Sequence, residues 1–208
     1  MKTYKFTFNL VILSLISIIV FLVLLPIMGD IFILKPKYLT IMILWLILHE
    51  LIHYIGFLAS KGIKPKDLVL GISLEKGIMY CMCKKEISKK GILFSLLLPF
   101  TLIGIITLFI GLKINSELLV FLSILNISSA VGDLGMALFF LVLPNDIQYI
   151  DKESETSFYL KSKKDLTKYS NCIIKNIKND NPKDNPKKIR ITKISYIILI
   201  ITIVLSLL

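Results

Sequence analysis

The chain has 208 residues, is 55% hydrophobic and carries a net charge of +11. With a mean hydropathy of +0.79, it lies outside the range of water-soluble domains and reads as a single membrane domain over 1–208. Lys and Arg concentrate between the apolar runs, where the bias toward positive cytosolic loops puts them, so membrane topology accounts for the charge and nucleic acid is not expected as a partner.

Residues 8–28 are almost uninterrupted apolar sequence behind Lys2 and Lys5. The run is longer than a signal-peptide core of about 7–15 residues and lacks an Ala-x-Ala site, so it reads as an uncleaved first span. A short connector with Pro36 leads to a second span at 38–59, with Lys61 just beyond it. From 60 to 90 the chain is basic and turn-rich. Leu68–Leu74 and Met79–Cys83, separated by Glu75-Lys76-Gly77, predict a β-hairpin.

The third span, 91–112, contains Pro99, which should kink it. After the tight connector Lys113–Ser116, a fourth span at 117–143 has a polar middle with Asn126, Ser128, Ser129, Gly132 and Asp133. Residues 144–190 read as a charged cytosolic linker ending in a low-complexity Asn/Asp/Pro/Lys tract. Within it Leu166, Tyr169, Ile173 and Ile177 recur at helical spacing near Lys168, Lys175 and Lys178, as in a short helix lying on anionic lipid. The last apolar run, 191–208, is counted as a fifth span.

The expected fold is therefore an all-α polytopic membrane protein with about five transmembrane helices and a small cytosolic β-hairpin between spans two and three. Alternation of heavily and lightly basic loops puts the N-terminus and the 60–90 and 144–193 loops in the cytosol. Membrane lipids are the expected surroundings; oligomeric state is not legible. Cys81, Cys83 and Cys172 fall in these lysine-rich loops and read as free thiols.

Four residues depart from this pattern by placing ionisable groups inside apolar spans, where each costs at least a few kcal/mol and marks a functional site. Three form His49-Glu50-Leu51-Ile52-His53. On a helix this His-Glu-x-x-His spacing sets both imidazoles on one face, able to share one zinc, with the glutamate beside the water that zinc activates. The chain has only these two histidines. An open zinc site needs a third protein ligand, and Asp133 is the buried candidate. At about 1.5 Å per residue it lies roughly 15 Å from the cytosolic end of its span, against roughly 10–16 Å for the histidines. Glu117 sits at the far end of span four, too distant. Asn126 and Ser129 precede Asp133 by seven and four residues on one helix face, as candidates for orienting the ligand or a substrate backbone.

The motif in span two, the basic hairpin segment, Leu98-Pro99-Phe100 in span three and Asn126-Ile127-Ser128-Ser129-Ala130-Val131-Gly132-Asp133 in span four together resemble the bacterial putative zincin peptidase family. That family is similar in plan to intramembrane metalloproteases of the site-2-protease type. The resemblance covers about Tyr38 to Leu143. It implies one zinc ion held at His49, His53 and Asp133, Glu50 as catalytic general base, and a membrane-protein or peptide substrate in a bacterial plasma membrane. Site-2 proteases carry Asn-Pro-Asp-Gly around their aspartate, whereas this chain has Val131-Gly132-Asp133-Leu134 and no PDZ-like domain. Two other classes use similar residues: a non-catalytic metal-binding scaffold or sensor, which does not need Glu50, and a metal carrier, which does not need the i, i+4 spacing.

Overall fold

A computed structural model describes residues 1–28, 36–73, 78–154, 157–170 and 174–177. The chain opens with strand β1 (Lys2–Phe8) and continues into α1 (Leu10–Leu24), whose first turn is capped by the Asn9 side chain. A 3₁₀ turn, Leu25–Met28, extends α1. Next come α2 (Pro36–Leu58), the hairpin β2 (Leu68–Ser73) and β3 (Ile78–Cys83), and the short β4 (Ile87–Ser88).

Capped by Ser88, α3 (Lys89–Pro99) passes through a π-helical stretch, Phe100–Ile106, into α4 (Thr107–Lys113). The turn to α5 (Glu117–Ser129) uses Asn115 in the left-handed region at φ 52°, a conformation asparagine tolerates. Then follow α6 (Val131–Val142), β5 (Gln148–Ser154), β6 (Ser157–Ser162) and β7 (Ile174–Ile177).

Among the described residues, three helices are long and apolar enough to cross a membrane: Leu10–Ile27, Thr40–Leu58 and Lys89–Lys113. A fourth is added if α5 and α6, bent by 47° at Ala130, count as one span. Span four was expected to be continuous. Its break falls where Ser128 and Ser129 turn their hydroxyls back onto the carbonyls of Ile124 and Asn126, a bonding pattern that bends helices. The fifth span, 191–208, and Cys172 lie outside the described residues, while Cys81 and Cys83 are free.

The all-α expectation is wrong: the protein is a mixed α/β molecule with two antiparallel sheets. The expected hairpin is present as β2–β3, with Leu68 opposite Cys83 and Ser73 opposite Ile78. The second sheet, in order β4-β5-β6-β1-β7, draws strands from both ends of the chain, pairing Lys2 with Ser162 and Phe8 with Ile174. Much of the expected linker is thus folded. The predicted surface helix is absent from its described part: residues 163–170 are turns and bends, Leu166 is buried, and 174–177 form β7.

The physical reason is a period of two. Tyr4 and Phe6 in β1, and Phe158, Leu160 and Ser162 in β6, alternate inward between charged or polar neighbours. They meet the feet of the helices in one core that includes Phe57 of α2, Ile92 and Leu96 of α3, and Phe139 and Phe140 of α6. Lys89 Nζ ties α3 to the end of α6 by donating to the Leu141 and Leu143 carbonyls at 3.1 and 2.6 Å. A smaller apolar cluster around Val120, Phe121, Leu122 and Ile124 joins α5 to α1 and α2.

Candidate metal centre

One helical turn separates His49 from His53 on α2, and both rings are buried. Asp133 enters from the first turn of α6, where the positive end of the helix dipole favours a carboxylate. The three side chains meet. His49 Nε2 and His53 Nε2 are 3.0 Å apart and lie 3.1 and 3.2 Å from Asp133 Oδ2.

The far side of each ring fixes where its proton sits. His53 Nδ1 is 2.9 Å from the Ser95 carbonyl, which only accepts, so Nδ1 carries the hydrogen. Asn126 Nδ2 donates to the Pro99 carbonyl at 3.2 Å, leaving Asn126 Oδ1 to face His49 Nδ1 at 2.7 Å. That oxygen also only accepts, so His49 bears its hydrogen on Nδ1 as well. Each neutral ring therefore points a bare Nε2 at the other and at a carboxylate oxygen.

Three lone pairs converging at about 3 Å with no proton between them require a cation or an added proton. Two histidines and a carboxylate are the donor set of open zinc sites, and donors bound to one tetrahedral zinc at about 2.0–2.1 Å stand about 3.3 Å apart. The spacings here lie within a few tenths of an ångström of that value, so the residues fit zinc. Among the described residues, His49, His53 and Asp133 are the group able to hold a metal ion.

Glu50 lies on the next helix position and lines a cavity of about 170 Å³ together with His53 and Asp133. The same cavity reaches Tyr149 and Asp151 of β5. Asp151 takes the Tyr149 hydroxyl at 2.5 Å and the Cys83 N–H at 3.2 Å, clipping the two sheets together. Burial pushes its carboxyl up to about 6, against the pull of these two donors. Burial likewise raises the Cys81 and Cys83 thiols, so neither is a ready nucleophile.

Of the residues singled out by sequence, His49, Glu50, His53 and Asp133 are brought together. Asn126 belongs to the site as the partner of His49, although the break at Ala130 puts it on a different helix from Asp133. Ser129 does not reach it: its hydroxyl is spent on the Asn126 carbonyl at 3.0 Å. Sequence reasoning missed Ser95, whose carbonyl holds His53 and whose hydroxyl donates to the His53 carbonyl at 2.9 Å. The available signal was Pro99, four residues on, because a proline leaves the carbonyl at i−4 without its helical partner. Tyr149 and Asp151 were missed with their strand.

Neither a curated protein nor a solved structure matches the chain. The profile of a family described as "Putative zincin peptidase" matches residues 41–147, more than half of the chain and a stretch that contains His49, Glu50, His53 and Asp133. With the histidines, the glutamate and the aspartate converging as a zincin's zinc requires, the chain belongs to this family.

Proposed function

We propose that the protein is a zinc-dependent intramembrane metallopeptidase that hydrolyses a peptide bond of a membrane-associated protein in a bacterial plasma membrane. The observation that carries this reading is the convergence of two bare imidazole nitrogens and the Asp133 carboxylate on the wall of a cavity shared with Glu50. When bound, zinc supplies a Lewis acid that polarises a carbonyl and brings the pKa of water to about 7. Glu50 takes the proton as water attacks the scissile carbonyl, then returns it to the leaving amine. Ser95 and Asn126 hold the two rings in the tautomer that this requires.

A peptide bond in lipid is closed inside a helix, and a cavity of about 170 Å³ admits side chains rather than a whole helix, so the substrate is extended when it reacts. β3 contributes Met79, Tyr80, Cys81 and Met82 to the cavity wall, so an extended segment meets a strand there and can pair with the hairpin. Membrane lipids surround the apolar helix faces. The N-terminal strand and strands from the 60–90 and 144–193 segments share one sheet, which supports their lying on one side, the cytosolic one by their lysine content.

The test is Glu50→Gln in the full chain, reconstituted in nanodiscs with a fluorescence-quenched library of single-span peptides. Zinc content should stay at one equivalent while cleavage falls by at least about 100-fold. Wild-type cleavage by the variant ends the peptidase reading. Zinc uptake with no cleavage by either protein favours a metal-binding scaffold or sensor.

A further inference from the structure

The His53 ring is oriented by a backbone carbonyl of α3 and the His49 ring by the Asn126 amide, which a second carbonyl of α3 orients in turn; Pro99 bears on both. In a regular α-helix the Ser95 carbonyl would accept the N–H of residue 99, but residue 99 is proline and has none. The next amide does not replace it, since the Phe100 N–H is bonded to the Leu97 carbonyl. Ser95 O is thus left to accept His53 Nδ1–H at 2.9 Å. Beyond Pro99 the helix continues with π-type bonding over Phe100–Ile106, and the Pro99 carbonyl itself accepts Asn126 Nδ2 at 3.2 Å. That bond decides which way the Asn126 amide faces, and the amide decides the tautomer of His49.

Two glycines keep the geometry open. A Cβ on Gly56 of α2 would stand 2.7 Å from Ser95 Cα, so α2 and α3 cross this closely only because the side chain is missing. A Cβ on Gly104, within the π-helical stretch, would press on Asn126 Nδ2 at 3.2 Å and on Ile127 Cγ1 at 3.1 Å. The α2–α3 and π-stretch–α5 contacts are therefore cut to bring the two carbonyls to their acceptor positions.

We propose that Pro99 is a positioning residue for the metal centre: by withholding one amide it leaves the Ser95 carbonyl to His53, and its own carbonyl, at the start of the π-helical stretch, orients the Asn126 amide, so that both histidines are locked with hydrogen on Nδ1 and a bare Nε2. The proposal rests on the metal reading above and assigns the proline a chemical role beyond a kink. Hydrogen-bond partners that orient metal-binding rings in this way change metal affinity by about 10–100-fold when lost.

The experiment uses the full-length protein in nanodiscs and two variants. Pro99→Ala suits a helix and restores an N–H that competes for Ser95 O. Pro99→Ala combined with Leu98→Pro keeps a proline kink but frees the Phe94 carbonyl instead. Both should bind zinc about 10–100-fold more weakly in competition with a chelator. In the zinc-free proteins, held at a pH high enough to remove the proton that the three facing lone pairs otherwise take up, ¹⁵N imidazole shifts should change from bare Nε2 on both rings in the wild type to mixed tautomers in the variants, a signature that loss of packing alone does not produce. Wild-type affinity and tautomers in Pro99→Ala overturn the proposal, as does recovery of wild-type affinity in the shifted-proline variant, which would show that the bend alone suffices. If the wild type takes up no zinc, the metal reading fails separately, and the zinc-free spectra still decide the role of Pro99.

Discussion

The two ends of this molecule are built inside out relative to one another. At the sheet end, Phe6, Phe158 and Leu160 are at most 1% exposed, and lysines such as Lys163, Lys164 and Lys175 face outward. Along the helices, Val11, Val23, Phe109 and Leu138 are 65–70% exposed, whereas His49, His53, Ser95 and Asn126 are buried. The sheet end follows the rule for a protein in water, with apolar groups inside. The helical part shows the opposite pattern, the one that lipid would favour, since in lipid outward apolar faces cost nothing and polar groups turn toward one another. The candidate metal centre sits near the join, close enough to the sheet for its cavity to reach Asp151.

The largest effect that separates the two regimes is expected in the sheet core. Phe158 packs against Phe6, Phe8, Phe139, Phe140 and Tyr149, with ring centroids 5.2–6.3 Å apart. Phe158→Ala should lower stability by about 3–5 kcal/mol, read by chemical unfolding in detergent. A loss below about 1 kcal/mol would mean that the sheet is not part of one cooperative core with the helix feet.

Next comes the apolar face of α1. Ile19, 58% exposed near the middle of that helix, should tolerate aspartate in water but lose about 3–4 kcal/mol of insertion free energy in a bilayer. Ile19→Asp is therefore expected to cut membrane integration roughly 100-fold or more in a translocon assay. Lys163→Asp, on the exposed sheet side, should leave it unchanged. Equal integration of both variants would remove the contrast between the two ends.

The smallest effect is conditional on pH. The carboxyl of Asp151 is raised by burial to about 6, so the fold prefers it protonated. Its contribution is complete below about pH 4 and is lost as pH rises through 6, on the order of 3 kcal/mol in all. Melting temperature should fall over this window in the wild type and stay nearly flat in Asp151→Asn, whose amide can still serve the Cys83 N–H and the Tyr149 hydroxyl. Superimposable melting curves would show that Asp151 titrates normally.

How much was legible depended on the distance over which each feature is encoded. The spacing of His49 and His53 is a property of one helical turn, so the motif announced its own geometry. Asp133 was legible because an unpaired carboxylate is conspicuous in an apolar span. The hairpin at 68–83 showed itself by two short runs on either side of the turn-forming Glu75-Lys76-Gly77. The second sheet did not, because its paired residues lie up to 172 positions apart, Lys5 facing Ile177, and the later strands are set in charged sequence that resembles a linker.

By itself, the sequence determined which side chains form the candidate metal cluster and which helices are long and apolar enough to cross a membrane, since both follow from residue type and short-range period. Only the tertiary structure decided how those side chains are held. The Ser95 and Pro99 carbonyls that orient the histidines are backbone groups, identical at every position along the chain. Their availability arises from a missing amide, a π-helical turn and two close helix crossings, and these acquire meaning only when α2, α3 and α5 pack together.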